Sequence, residues 1–188
     1  MSDKFRNKYR IPSARLKNWD YGRNGAYFIT ICTQNREHFF GDVCNTEMQL
    51  NEIGKLAEKF WLEIPNHFQF IELGNFVIMP NHTHGILIIN KNESDYEQRI
   101  VGDDRATVPT IKNNGGKNEK WKPNTIGSII NQYKRIVTIN ARKIHADFAW
   151  QPRFYDHIIR DAKSFENIQN YIANNPLNWN KDKFYGNN

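Results

Sequence analysis

The stretch Phe76-Val77-Ile78-Met79-Pro80-Asn81-His82-Thr83-His84-Gly85-Ile86-Leu87-Ile88-Ile89 decides the fold. β-Branched and other apolar residues run to Met79, break at Pro80-Asn81, and resume as a second apolar run, the pattern of two strands joined by a tight turn. Side chains alternate across a strand, so His82 and His84 share one face and Thr83 points to the other. Two imidazoles side by side can hold one metal ion through their ring nitrogens. A lone His-x-His pair is as readily incidental, so its meaning rests on what the chain brings beside it.

Working outward from that hairpin, Phe70 to Met79 is the strand before it, with Gly74 marking a bulge, and His84 to Ile89 the strand after it. Upstream, Ala26 to Thr33 is rich in β-branched and aromatic residues and reads as a first strand. Between them, Asn45 to Glu63 carries Leu50, Ile53, Leu56, Ala57, Phe60 and Trp61 at helical spacing and is expected to be a helix that Pro65 ends. Downstream, Thr125 is suited to cap a helix with Ile126, Ile129, Ile130, Tyr133 and Val137 on one face and Lys134, Arg135, Arg142 and Lys143 on the other. Gln151 to Ile159 follows as a fourth strand, and Lys163 to Asn174 as a helix stopped by Pro176. The order predicts an α+β, ferredoxin-like βαββαβ antiparallel sheet with an additional C-terminal helix. The domain is expected over residues 25–180, with a flexible insertion at 91–124, a basic arm at 1–24 and a tail at 181–188.

The 188 residues suit one domain, and aromatic side chains at 13% can fill its core. No apolar stretch approaches a membrane span, and the polar N-terminus is not a secretory signal. Cys32 and Cys44 are too few and too far apart for a disulfide framework or a Cys-x-x-Cys zinc site, which suits a cytoplasmic protein with incidental thiols. Net charge is +6, and the excess is concentrated in Lys4, Arg6, Lys8, Arg10, Arg15, Lys17 and Arg23, opposed in that segment only by Asp3 and Asp20. With Phe5, Tyr9, Trp19 and Tyr21 interleaved, the arm suits a phosphate backbone with rings for base stacking; a solvated tail is the equal alternative. The same balance holds for Lys134 and Arg135, which either track nucleic acid or line a solvated helix face.

Tyr171 lies within the last helix and Asn175 four residues on, so the two share a helical face. Standing alone, they read as a surface tyrosine and a helix-ending amide. Joined to the histidine pair, they have the parts for metal-assisted attack on a phosphodiester. The phenol would be the nucleophile, a cation on the histidines would stabilise charge on the phosphate, and Asn175 would offer its carbonyl oxygen as a third ligand. Tyr155 is a rival nucleophile without a helical amide partner. His157, two residues on, is either a neighbour of the site or a structural histidine. Asp156 could lie near the metal or form a surface ion pair. His38, His67 and His145 have no partner at ligand spacing, and Trp150 and Trp179 read as packing residues.

Three segments together resemble a known family: Tyr27 to Arg36, Met79 to Gly85, and Trp150 to His157 continued by Tyr171 to Pro176. They are similar to the single-tyrosine HUH transposases, in particular the REP-associated tyrosine transposases, over about Tyr9 to Pro176 outside the 91–124 loop. The resemblance implies a nuclease that cuts and rejoins single-stranded DNA beside hairpins through a 5′-phosphotyrosine, as a monomer or a homodimer. Its cofactor would be Mg2+ or Mn2+. It also implies His82 and His84 as metal ligands, Tyr171 as nucleophile and Asn175 as the third ligand. Thr83 departs from the bulky apolar residue usual between the histidines. The alternative function is a domesticated protein that binds DNA hairpins without cutting them.

Overall fold

Along the first strand Tyr27, Ile29 and Ile31 are fully buried while Ala26, Phe28 and Thr30 face the other way, the two-residue period that a sheet covered on both sides requires. A computed structural model describes residues 19–92 and 123–185, together with the backbone of two short paired strands, β1 (Lys4–Phe5) and β2 (Lys8–Tyr9). The main sheet contains β3 (Gly25–Cys32), β6 (Ile71–Met79), β7 (His82–Ile89) and β8 (Tyr155–Ile159). Their spatial order is β6-β7-β3-β8 with every pair antiparallel, as the ferredoxin-like reading expects. Helices α1 (Glu52–Leu62) and α3 (Ile126–Ala141) form the connections onto one face, and the short α2 (Ile64–His67) follows α1.

The main core lies between that face and the helices. Tyr27, Ile29, Ile31, Leu87 and Ile89 of the sheet meet Ile53, Ala57 and Trp61 of α1 and Ile129, Ile130, Tyr133 and Val137 of α3. Tyr133 Oη donates to the Ala57 carbonyl at 3.1 Å, satisfying a buried hydroxyl and tying the helices together. Thr125 caps α3 through a reciprocal capping box with Ser128. On the opposite face, α4 (Ala162–Ala173) lays Ile172, Phe165 and Ile168 over Ile86, Phe28 and Ile159. Among the described residues no helix is long and apolar enough to cross a membrane.

The structure corrects several sequence expectations. The segment read as the first two turns of a helix from Asn45 is a hairpin, β4 (Gly41–Cys44) with β5 (Glu47–Leu50). Asn45 and Thr46, at φ 51° and 66°, form its two-residue turn, and α1 begins only at Glu52, where Asn51 accepts from Gly54 N–H. Pro65 sits near the start of α2 rather than ending a helix. The fourth strand begins at Tyr155, not Gln151, because Arg153 takes a positive φ of 69° just before it. The expected bulge is present: the β6–β7 register shifts between Leu73 and Phe76, across Gly74. The boundary placed at residue 180 cuts through ordered packing, since Trp179 and Phe184 are buried against Met79. The insertion at 91–124 lies outside the described residues except at its ends.

Candidate active site

The hairpin turn places His82 at the first position of β7, paired with Met79 across the turn and with Cys32 on β3. His84 pairs with Thr30, so both histidines point to the α4 face while Thr83 and Gly85 face α1 and α3. The helix side leaves no room at Gly85, where a Cβ would come within 2.3 Å of the Trp61 ring. Tight packing there presses the strand onto Trp61 and fixes the height of the histidines on the other side.

Both imidazoles are oriented by neighbours. Asn81 donates through Nδ2 to the carbonyls of Arg36 and Phe184, which leaves its Oδ1 to accept from His82 Nδ1 at 2.9 Å. His82 therefore carries its proton on Nδ1, and its buried Nε2 is a bare lone pair without a hydrogen-bond partner. His84 Nδ1 lies 2.8 Å from Thr30 Oγ1, and its Nε2 is 3.2 Å from Tyr171 Oη. The ring centroids of the pair are 4.4 Å apart. Burial, reinforced by the positive charge of Lys183, pulls the His84 pKa down to about 3. Burial likewise pulls His82 well below its ordinary value, with His84, Lys183 and Arg36 adding to the effect. Both rings are thus neutral at pH 7, the form that ligates metals.

Helix α4 brings Tyr171 over this pair, 43% exposed, its ring edge-on to Phe28 at 6.1 Å. Burial raises its phenol pKa and the nearby Asp182 carboxylate raises it further, so Tyr171 rests protonated. Asn175, buried beyond the end of α4, donates through Nδ2 to Asp182 Oδ2 at 3.2 Å, and its Oδ1 has no hydrogen-bond partner. One ligand atom each from His82, His84 and Asp182 lies within 4.8 Å of the others. Sequence reasoning missed Asp182, which follows the 3-10 turn Trp179–Lys181 in the segment taken for a tail. Trp179 and Phe184 on either side of it were the available signal, because a solvated tail has no use for two large apolar rings. Their ring centroids stand 6.0 and 4.5 Å from that of His82.

Thus His82, His84 and Tyr171 come together, with Asn175 joined through Asp182. His157 is exposed on β8 and pairs with Phe28, which on its other side pairs with Ile86, so a full strand separates His157 from the histidine pair. It lines a groove of about 460 Å³ with Tyr155, Phe28, Asp161, Lys163 and Ser164. Tyr155 is level with His84 across Thr30 but is 51% exposed. Lys134 donates to the carbonyls of Gln151 and Arg153 at 2.7 and 2.9 Å, and burial lowers its pKa to about 8, so its ammonium is spent on the loop before β8. Arg135 is exposed. Arg6, Arg10, Arg15 and Lys17 lie outside the described residues, and Lys8 is described only as backbone in β2.

His82, His84 and Asp182 bring two neutral imidazoles and a carboxylate within reach of one another, and the buried His82 Nε2 and Asn175 Oδ1 lack hydrogen-bond partners. Such a set suits a hard or borderline divalent cation better than structural zinc. Fold and site together define a ferredoxin-like domain whose sheet presents two buried histidines beneath a tyrosine on a covering helix. No protein-family model matches the chain. An uncharacterized protein of Haemophilus influenzae is 41% identical over 174 residues, covering 92% of each chain. A second protein of that organism, whose name places it among the REP-associated tyrosine transposases, is 26% identical over 158 residues, spanning 84% of this chain and 73% of its own. The solved structure of a REP-associated tyrosine transposase bound to a REP hairpin superposes with a TM-score of 0.51 at 17% identity, covering 92% of this chain and 77% of that one. The chain is thus similar in sequence to a protein named as a REP-associated tyrosine transposase and shares the fold of another.

Proposed function

We propose that this protein has a transposase-like function: it nicks and rejoins single-stranded DNA beside hairpins, using Tyr171 as nucleophile and a divalent cation, Mg2+ or Mn2+, held by His82 and His84. The observation that carries the reading is the contact between Tyr171 Oη and His84 Nε2, 3.2 Å, above two buried neutral imidazoles. The names of the relatives support the DNA substrate, and the hairpin bound by the structural neighbour supports its shape. Asn175 Oδ1, buried and unpartnered, is a further oxygen donor toward the cation.

When bound, the cation's chemistry is to polarise the scissile phosphate and offset charge gathering on its non-bridging oxygens. Thr30 and Asn81 each engage Nδ1 of one ring, which leaves the two Nε2 atoms as the candidate ligand atoms. His84, held neutral down to about pH 3, is too weak a base to take the phenol proton. That proton leaves to water, to which Tyr171 is open. Its Oη then bonds to phosphorus as the bond from phosphorus to the 3′ oxygen breaks, leaving a 5′-phosphotyrosine and a 3′-hydroxyl protonated by water. Attack by a 3′-hydroxyl reverses the step and rejoins the strand.

Tyr171→Phe keeps ring volume and removes only the hydroxyl. With manganese and a hairpin-bearing single strand, it should bind DNA as the unaltered chain does. It should form no nick and no protein–DNA adduct on a denaturing gel, whereas Tyr155→Phe should keep the adduct. An unaltered chain that binds hairpins but never nicks would favour the non-cutting alternative. An adduct mapped to Tyr155 would overturn the assignment of the nucleophile.

A further inference from the structure

We propose that Asp182 is the charged ligand of the cation site, so that the segment from Trp179 to Phe184 is a metal-binding strap rather than a tail. The inference rests on the cation site of the preceding reading and deepens it.

The first argument is geometric. Ligand atoms of Asp182, His82 and His84 lie within 4.8 Å of one another. Donors held about 2.1 Å from a common cation stand about 3 to 4.2 Å apart, so the set is within a short adjustment of closing on one ion. Asp182 Oδ1 accepts from Phe184 N–H at 2.7 Å, and Oδ2 accepts from Asn175 Nδ2 at 3.2 Å. A carboxylate has about four acceptor positions, so lone pairs remain for a cation.

The second argument is charge. His82 and Asn175 are 0% and 2% exposed, and each leaves one polar atom, Nε2 and Oδ1 respectively, without a hydrogen-bond partner. Two imidazoles and an amide would offer a dication no negative charge, and the charged side chains felt by the histidines are Lys183 and Arg36. Burying an uncompensated dication among cations is strongly unfavourable, and a carboxylate relieves it. With Asp182 included, the protein supplies one negative charge and a phosphodiester would supply the second.

The third argument is that the strap is built into the site. Arg36 donates to the Lys183 carbonyl at 3.1 Å, Asn81 donates to the Phe184 carbonyl at 3.0 Å, and the Trp179 and Phe184 rings pack beside His82. Asn81 therefore joins the strap to the histidine pair, since its Oδ1 orients His82.

Calorimetric titration of the full chain with manganese alone, without DNA, tests the proposal. Asp182→Asn keeps an oxygen for Phe184 N–H while removing the charge, and should weaken binding by on the order of 100-fold. A melting curve without metal that matches the unaltered chain establishes folding. If Asp182→Asn melts early, Asp182→Ser, whose hydroxyl also accepts, replaces it. His82→Ala should abolish binding. Affinity in Asp182→Asn within about twofold of the unaltered chain, with His82→Ala inactive in binding, would overturn the role of Asp182 and leave the histidine site standing. Undiminished binding in His82→Ala would overturn the histidine site, and the strap proposal with it.

Discussion

At His84 the imidazole is 1% exposed, and burial brings its pKa to about 3 against an ordinary 6.5. Between those values the unfolded chain takes up a proton that the folded chain refuses, so folding stability rises with pH across this window and falls on acidification. From pH 7 to 5 the loss is about 2 kcal/mol for such a group, and His82 shifts in the same direction. Urea unfolding without metal should therefore give a clearly lower midpoint at pH 5 than at pH 7, and His84→Gln should flatten the dependence. Equal midpoints in the unaltered chain would mean that the rings are not held neutral. The residues best read from sequence are those related by local spacing: His82 and His84 alternate on one strand, and Tyr171 and Asn175 lie a turn apart. Asp182 had no such relation, because its approach depends on how the chain folds back after Pro176.

Helix α4 has a narrow hold on the sheet. Ile172 is its one fully buried side chain, with Phe165 and Ile168 partly buried beside it. Ile172 adjoins Tyr171 in sequence and packs in the cluster containing Ile86, so it fixes the height of the phenol over β7. Ile172→Ala should cost about 2–4 kcal/mol through lost burial and the cavity left behind. Adduct formation should fall even at temperatures where the variant remains folded, because Tyr171 loses its fixed position. Thermal melting and adduct yield measured together check this, and a large drop in melting temperature with unchanged adduct yield would separate Ile172 from the site. The strands were legible wherever alternation was strong, and Gly74 marked the bulge through the missing side chain that lets Ile86 approach. The β4–β5 hairpin was not legible. Its turn is Asn45-Thr46, with a β-branched residue at φ 66° instead of the expected glycine, and Leu50 happened to continue the helical spacing of α1.

Over the whole molecule, charge is divided unevenly between arm and domain. Residues 1–24 hold seven cations and two carboxylates, a net +5 of the chain's +6, so residues 25–188 are close to neutral. Nor does the domain face offer Lys134 freely, since its ammonium is bound to two backbone carbonyls. Long-range attraction of a polyanion should then come mostly from the arm, while the site around Tyr171 provides local contacts. Each phosphate neutralised by a cation contributes about 0.7 to the slope of log affinity against log salt for a single strand. Deleting residues 1–18 removes Lys4, Arg6, Lys8, Arg10, Arg15 and Lys17. If all six meet phosphates, the slope for a hairpin-bearing strand should shrink by roughly 4, with the greatest loss of affinity at low salt. Filter binding or fluorescence anisotropy at several salt concentrations, for the full and shortened chains, measures both quantities. The shortened chain should still bind manganese as the full chain does, since His82, His84 and Asp182 all lie within the domain. If its DNA affinity and salt slope also match those of the full chain, the arm is a solvated tail, and the polyanion must be met by cations of the domain such as Arg135.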